Sequence, residues 1–470
     1  MGAERVTRDR EDDAIGGDHL VAALQQNAEP DNMRRVVWQL AWPTIIANVL
    51  MNVGGLINLY FVHGLGVGSM NAVTWGEQMI GFVFAVAVGV SIGTTALVAR
   101  SIGAGDRQSA ANATRQSLML GFMLGIATTA VLAVLSRPVL LAMGANHSSL
   151  PLGMVYYHWL LFGIVPFFLI NVCGAAFRGA GDTRTPLYLL MLLVGVSVLA
   201  DSTLIWGFGP IPKMGVAGAG LGTFIMRSVG ATAFLIALWR APHHLLTGSD
   251  SWRLDLGWAK RLVRIGLPAG MQSGLRTLAS STFVGLLARM EHGPAVVAAL
   301  SVGLRSEGIA FMPGMAFNVA AAALVGQSLG AQNPNRAARA ARAATLQAIW
   351  IMTLMGAVFF VFAPQMARAL AAPEAVPFAV AYLRIAAISE PFLAVAMTLT
   401  GALQGAGDTM KPMWVVINTM LLRLAATWYF GLHLGLGANA AWWSMSLSTC
   451  VQGLLILAAW RRGTWRRVRV

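Results

Sequence analysis

Nine ionisable side chains stand inside otherwise apolar runs: Glu77, Asp201, Arg227, Arg276, Arg305, Glu307, Arg384, Glu390 and Arg423. An ion at bilayer depth is costly unless it is paired or hydrated, so such residues are read first as functional. Asp201, in Val198-Leu199-Ala200-Asp201, could bind a proton or small cation and release it when water enters; the competing reading is a permanent partner for Arg227. Glu77 is either a second member of that site or a hydrated residue at its mouth. Asn58 can donate a hydrogen bond or offer a carbonyl oxygen to Na+, but it cannot titrate. These three are the candidates for binding a proton or a small cation such as Na+. In the second half of the chain, Arg276, Arg305, Arg384 and Arg423 outnumber Glu307 and Glu390. Arg305 and Glu307 are two residues apart and point to different sides of a helix, so Glu307 is expected to meet Arg276 or Arg423 instead. These charges either fix the packing of that half or line a cleft and meet the substrate. Arg276, Glu307, Glu390 and Arg423, with Asn171, are the cleft candidates.

The elements that must hold these residues are membrane helices. The sequence is 57% hydrophobic and 11% charged, with mean hydropathy +0.65, far from soluble averages. A crossing needs about 20 apolar residues. Spans are expected near 36–61, 71–99, 112–135, 152–177, 187–209, 215–239, 262–288, 295–326, 343–364, 376–403, 413–434 and 436–460. Helical rise places Asp201 about 21 Å into the fifth span and Glu77 about 9 Å from the outer end of the second. Most of the 33 Lys and Arg residues fall in the tails and the even-numbered connections, which puts both termini in the cytoplasm of a multi-pass inner-membrane protein. Anionic lipid at that face accounts for much of the net charge of +14. No nucleic-acid module accompanies the dispersed bases. Cys173 and Cys450 lie in apolar runs and read as free thiols. There is no His-x-x-x-His pair and no Walker-type loop, so neither an enzyme, a metal site, direct use of ATP nor a cofactor is expected.

Part of the chain occurs twice. Arg178-Gly179-Ala180-Gly181-Asp182-Thr183-Arg184-Thr185-Pro186 returns 226 residues later as Gln404-Gly405-Ala406-Gly407-Asp408-Thr409-Met410-Lys411-Pro412. Pro43 and Pro268, Pro166-Phe167 and Pro391-Phe392, and Ser101-Ile102-Gly103-Ala104 and Ser328-Leu329-Gly330-Ala331 repeat at nearly the same offset. The fold class is therefore an all-α polytopic membrane protein of twelve helices in two six-helix lobes. Six spans per lobe make the repeat parallel, with its pseudo-twofold axis along the membrane normal. The expected divisions are a disordered cytoplasmic tail (1–35), an N-terminal lobe (36–240), a cytoplasmic linker (241–261), a C-terminal lobe (262–460) and a basic cytoplasmic tail (461–470). Pro43 can bend its helix, while Gly181, Asp182, Gly407 and Asp408 form tight turns that act as caps or as a hinge between lobes.

The repeated Gly-Ala-Gly-Asp-Thr followed by proline, with Leu56-Ile57-Asn58-Leu59-Tyr60-Phe61-Val62, Leu324-Val325-Gly326-Gln327-Ser328-Leu329-Gly330-Ala331 and Gly215-Val216-Ala217-Gly218, resembles the multidrug and toxic compound extrusion transporters over about 36–460. The resemblance implies a V-shaped monomeric antiporter that exports amphipathic, often cationic, small molecules against H+ or Na+. It also implies bending at Pro43 and an acidic coupling position at Asp201. Two positions depart from it: Asn58 stands where many members carry aspartate, and Arg276 about where some carry glutamate. The alternative from the same superfamily is a flippase or exporter of a lipid-linked sugar or another anionic amphiphile.

Overall fold

The computed structural model describes residues 30–143, 150–208, 212–241, 245–246 and 252–468. The N-terminal half forms α1 (Pro30–His63), α2 (Val67–Gly103), α3 (Arg107–Val134), α4 (Ser136–Ala142), α5 (Leu150–Phe162), α6 (Ile164–Ala180), α7 (Arg184–Trp206) and α8 (Val216–Arg240). The C-terminal half forms α9 (Leu256–Ala288), α10 (Gly293–Gly330), α11 (Pro334–Leu370), α12 (Val376–Gly405), α13 (Met410–Ala426) and α14 (Gly437–Arg461). Ten described helices are long and apolar enough to cross a membrane, and α5 with α6 makes an eleventh crossing, bent by 43°. The twelfth is α9, which has the length, at 33 residues, but is more polar.

Three features depart from simple spans. The fourth is broken at Gly163, the third is followed by the short α4, and the eleventh ends in a π-helical turn, Thr427–His433. Helix α1 starts inside the stretch expected as a tail; residues 1–29 lie outside those described. Helix α9 likewise starts inside the expected linker, with the Asp255 carboxylate accepting from Gly257 N at 2.7 Å. The linker is pinned to α3 by buried Gln116, which donates to Arg253 O at 2.8 Å and accepts from Asp255 N at 3.0 Å. The basic C-terminal segment also folds back. Trp465, 1% exposed, stacks on Trp460 at 4.1 Å.

Lipid tails are as apolar as leucine, so these helices associate through close packing rather than by hiding from the solvent around them. The first helix of each half does this across the boundary. The beginning of α1 buries Met33, Val37, Leu40 and Ala41 among Ala316 and Ala320 of α10 and Ala337 and Ala341 of α11. Reciprocally, the beginning of α9 buries Leu262 and Ile265 among Val90 and Leu97 of α2, Ala110 of α3 and Phe177 of α6. Where α9 crosses α2, a Cβ on Gly89 would lie 2.7 Å from the Gly266 carbonyl oxygen, and one on Gly266 2.5 Å from that of Gly89. Farther along, α1 returns to its own half, with Gly54 against Val194 and Gly64 against Trp206 of α7.

The lobes are joined at the end that carries the repeated turns. Arg100, ending α2, donates to Ala406 O at 3.1 Å and Val468 O at 2.8 Å. Gln327, ending α10, donates to Gly179 O at 2.9 Å. Positions 100 and 327 correspond in the repeat, so each half reaches into the other's glycine-rich turn. Beside them, a Cβ on Gly103 would collide with the Gln327 carbonyl and one on Gly330 with the Arg100 carbonyl. We call this the closed end.

Candidate functional site

Asp201 is placed by α7, which starts at the first repeated turn. Gly181 turns the chain with φ 89°, and the Asp182 carboxylate then accepts from Arg184 N and Thr185 N, both at 3.0 Å, capping the helix. The second copy has the same backbone but different chemistry: Gly407 has φ 85°, while Asp408 pairs with Lys411, whose ammonium also donates to Thr464. Both turns sit at the lobe junction. Pro43 is buried within an unbroken α1.

More than four turns along α7, Asp201 is 1% exposed. Its Oδ2 accepts from Asn58 Nδ2 on α1 at 2.8 Å and from Ser197 Oγ, one turn earlier, at 3.2 Å. Its Oδ1 is buried without a hydrogen-bond partner and faces α8, where a Cβ on Gly222 would stand 2.6 Å away. Among the described residues no basic group lies within 4 Å of Asp201. The permanent pair with Arg227 is thus not formed. The Arg227 guanidinium sits 5.1 Å from the Phe167 ring centre, beside the break at Gly163, with Nη1 buried and unpaired.

Tyr156 of α5 is the centre of this arrangement that the sequence reading missed. Its buried hydroxyl lies in the electrostatic reach of Arg227, Glu77 and Asp201, with Thr223 beside it. Its ring occupies the space left by Gly76. A usable signal existed, because Tyr156 and Tyr382 are 226 residues apart, the spacing of the repeat. Glu77 is accessible and shares with Asp201 only the field around Tyr156. Asn171 does not join the group; its amide donates to Phe167 O on its own helix at 2.8 Å.

Tyr382 marks the counterpart in the other lobe. It is 1% exposed, edge-on to Trp442 at 5.0 Å, and interacts with Glu307 and Arg423. Arg423 is fastened to α14: Nε donates to Ser448 Oγ at 2.9 Å, and Nη2 to Thr449 Oγ1 at 3.0 Å and Met445 O at 3.5 Å. Glu307 lies in electrostatic reach of Arg423, yet no ion pair within 4 Å joins them among the described residues. Glu390 is not a cleft residue in this conformation. At 1% exposure, it is shut into the seam where Gly356 of α11 approaches its Cγ. Arg305 and Arg384 are exposed, Arg384 over the Phe360 ring at 5.7 Å. The repeat sets Thr427 opposite Asp201, buried, with Oγ1 unpaired.

Chemically, the N-terminal group is an acid with two donors, one idle oxygen and no resident cation. That arrangement can take up a proton or a small cation. Among the described residues no cluster of three or more His, Cys, Asp or Glu side chains could hold a metal ion, and both thiols are free. Gly222→Ala tests whether the idle oxygen matters. The added methyl must push the carboxylate aside, at about 1–3 kcal/mol for overpacking. Coupled transport is expected to fall about tenfold, the equivalent of roughly 1.4 kcal/mol, in vesicle assays of folded protein. Unchanged transport would show that the acid works without that face.

A family model described as MatE matches the chain twice, over residues 43–203 and 268–429, one match in each half. A relative named "Probable multidrug resistance protein NorM", from Thermotoga maritima, is 25% identical over 444 residues, covering 93% of this chain and 94% of its own. A second, named "FAD transporter", from Shewanella oneidensis, is 27% identical over 310 residues, covering 65% and 67%. Among solved structures, one titled "Crystal structure of MATE in the bent conformation" superposes with a TM-score of 0.86 at 23% identity, over 95% of this chain and 98% of that one.

Proposed function

Because the chain belongs to the multidrug and toxic compound extrusion family, a family of multi-pass membrane transporters rather than enzymes, we propose that it is a secondary active antiporter exporting amphipathic, often cationic, organic compounds in exchange for H+ or Na+. The observation that carries the coupling reading is Asp201, buried, bonded to Asn58 and without a cation. Relatives named for multidrug resistance support the substrate class. The distribution of Lys and Arg makes the closed end cytoplasmic, in the inner membrane, with both termini on that side.

In this reading the cleft opens outward while the closed end is sealed. A proton entering from outside neutralises Asp201 and weakens its hold on Asn58, since a neutral acid is a poorer acceptor than a carboxylate. Alternatively, Na+ is held by oxygens available there, from Asp201, Asn58 and Thr223. Either event changes how α1 is tied to α7, and α1 also contacts the other lobe. Alternating access follows if the junction at Arg100 and Gln327 then releases. The protein acts as a monomer among lipids, without a cofactor.

Purified protein in proteoliposomes, given a proton gradient and a sodium gradient separately, tests this. Dye movement driven by one gradient alone is expected and names the ion. Movement driven by neither would overturn the antiport reading.

A further inference from the structure

Helix α9 turns one side inward, and along it Leu262, Ile265, Ala269, Gln272, Phe283 and Leu287 are buried. Arg276 falls on the same stripe, between Gln272 and Phe283, yet it is exposed. On α13 and the turn that follows it the inward stripe is Val416, Thr419, Arg423 and Thr427, and Arg423 alone keeps partial exposure. Two inward-facing positions that remain accessible define an opening inside the C-terminal lobe, at the depth of the bilayer. The guanidiniums on its walls lie within each other's electrostatic reach.

Like charges in such a place are unfavourable unless something negative joins them. Nothing described here does so at close range, since no carboxylate lies within 4 Å of either. Arg423 is oriented by neutral partners through its Nε and Nη2. Among the described residues Arg276 has no hydrogen bond or ion pair. Glu307 is engaged with Tyr382 and lies nearer the Arg423 side, while Glu390 is sealed in its seam. Guanidinium forks match carboxylate and phosphate oxygens in shape as well as charge. In the other lobe the intramembrane acids Asp201 and Glu77 stand against the single base Arg227, so the two lobes differ in sign.

We propose that Arg276 and Arg423 form a subsite for the anionic group, a carboxylate or phosphate, of the transported molecule, so that zwitterionic and anionic amphiphiles are preferred over simple cations. This rests on the antiport reading and revises the charge it gives the substrate, from often cationic to one that carries an anionic group. Rhodamine B, a zwitterion with a free carboxylate, and its ethyl ester, a cation with the same ring system, are the probes. Binding is followed by fluorescence anisotropy in detergent, without any gradient.

The wild type is expected to bind the acid about tenfold more tightly than the ester. That ratio should vanish in Arg276→Gln and in Arg423→Gln, with ester binding retained and an unaltered thermal unfolding transition as proof of folding, and should survive in Arg384→Gln. Equal binding of the two dyes by the wild type would overturn the subsite, as would a preference that persists in both glutamine variants or failure to bind either dye. Persistence with loss of thermal stability would assign the arginines to packing around Glu307. Gradient-driven export of the ester is measured separately, so the antiporter and the subsite can fail independently.

Discussion

Asp201→Asn is expected to reduce gradient-driven export to the leak of protein-free vesicles while leaving the protein folded. Asparagine has nearly the same shape and keeps an oxygen that can accept from Asn58 and Ser197, so the local packing survives. It cannot change charge. The native carboxylate, when ionised, is buried with one oxygen unpaired, a state that costs several kcal/mol and is relieved by a proton or cation. The substitution removes that cost along with the response to the ion, so thermal stability is expected to hold or rise. The measurements are dye export under an imposed gradient and thermal unfolding, each against wild type. Full export by the variant would place coupling elsewhere, with Glu77 the next acid to replace. Because Asn58 cannot titrate, the α1 residue that contacts Asp201 cannot supply a second carboxylate to mask the effect.

The second large effect is expected at the closed end. Gly103→Ala or Gly330→Ala puts a methyl where the Gln327 or Arg100 carbonyl now lies. Neither atom is the tip of a flexible side chain, so the two backbones must part. Overpacking of this kind costs about 1–3 kcal/mol. The contact joins lobes rather than building one, so the cost falls on the closed conformation and the lobes stay folded. A bias of that size changes a two-state ratio by about 5- to 150-fold. Spin labels at exposed Arg107 and Asn335, in a Cys173→Ser, Cys450→Ser background, should show longer distances in pulsed electron resonance, and export should fall at least tenfold. Gly81→Ala, where nothing lies within 4 Å of the added atom, should change neither. Unaltered distances in the Gly103 and Gly330 variants would mean that closure does not depend on this contact.

What could be read in the chain followed its local physics. Hydropathy located the apolar spans, and the two Gly-Ala-Gly-Asp-Thr phrases set the halves in register. The depth of Asp201 and Asn58 followed from helical rise. Their facing did not, because a helix that is apolar all round gives no sign in lipid of which side meets a neighbour. Tyr156 escaped for a related reason: a tyrosine in an apolar span looks like packing until the charges around it are placed. The break at Gly163 lies in an unbroken apolar run. Glu390 and Asn171 carried the right chemistry for a cleft, but α11 covers the first and the second is tied to the backbone of its own α6.

The exchange of first helices between halves has a consequence for biogenesis. Met33, Val37, Leu40 and Ala41 are made first, but the surfaces that bury them, Ala316 to Ala341, leave the ribosome only after the whole N-terminal lobe has been synthesised. The opening segment must therefore enter the membrane and remain without its final neighbours while α2 to α9 are threaded in beside it. Neither half can complete itself alone. If the two were made as separate polypeptides, each would have to lend its leading helix to the other before either became whole, as in a domain-swapped pair.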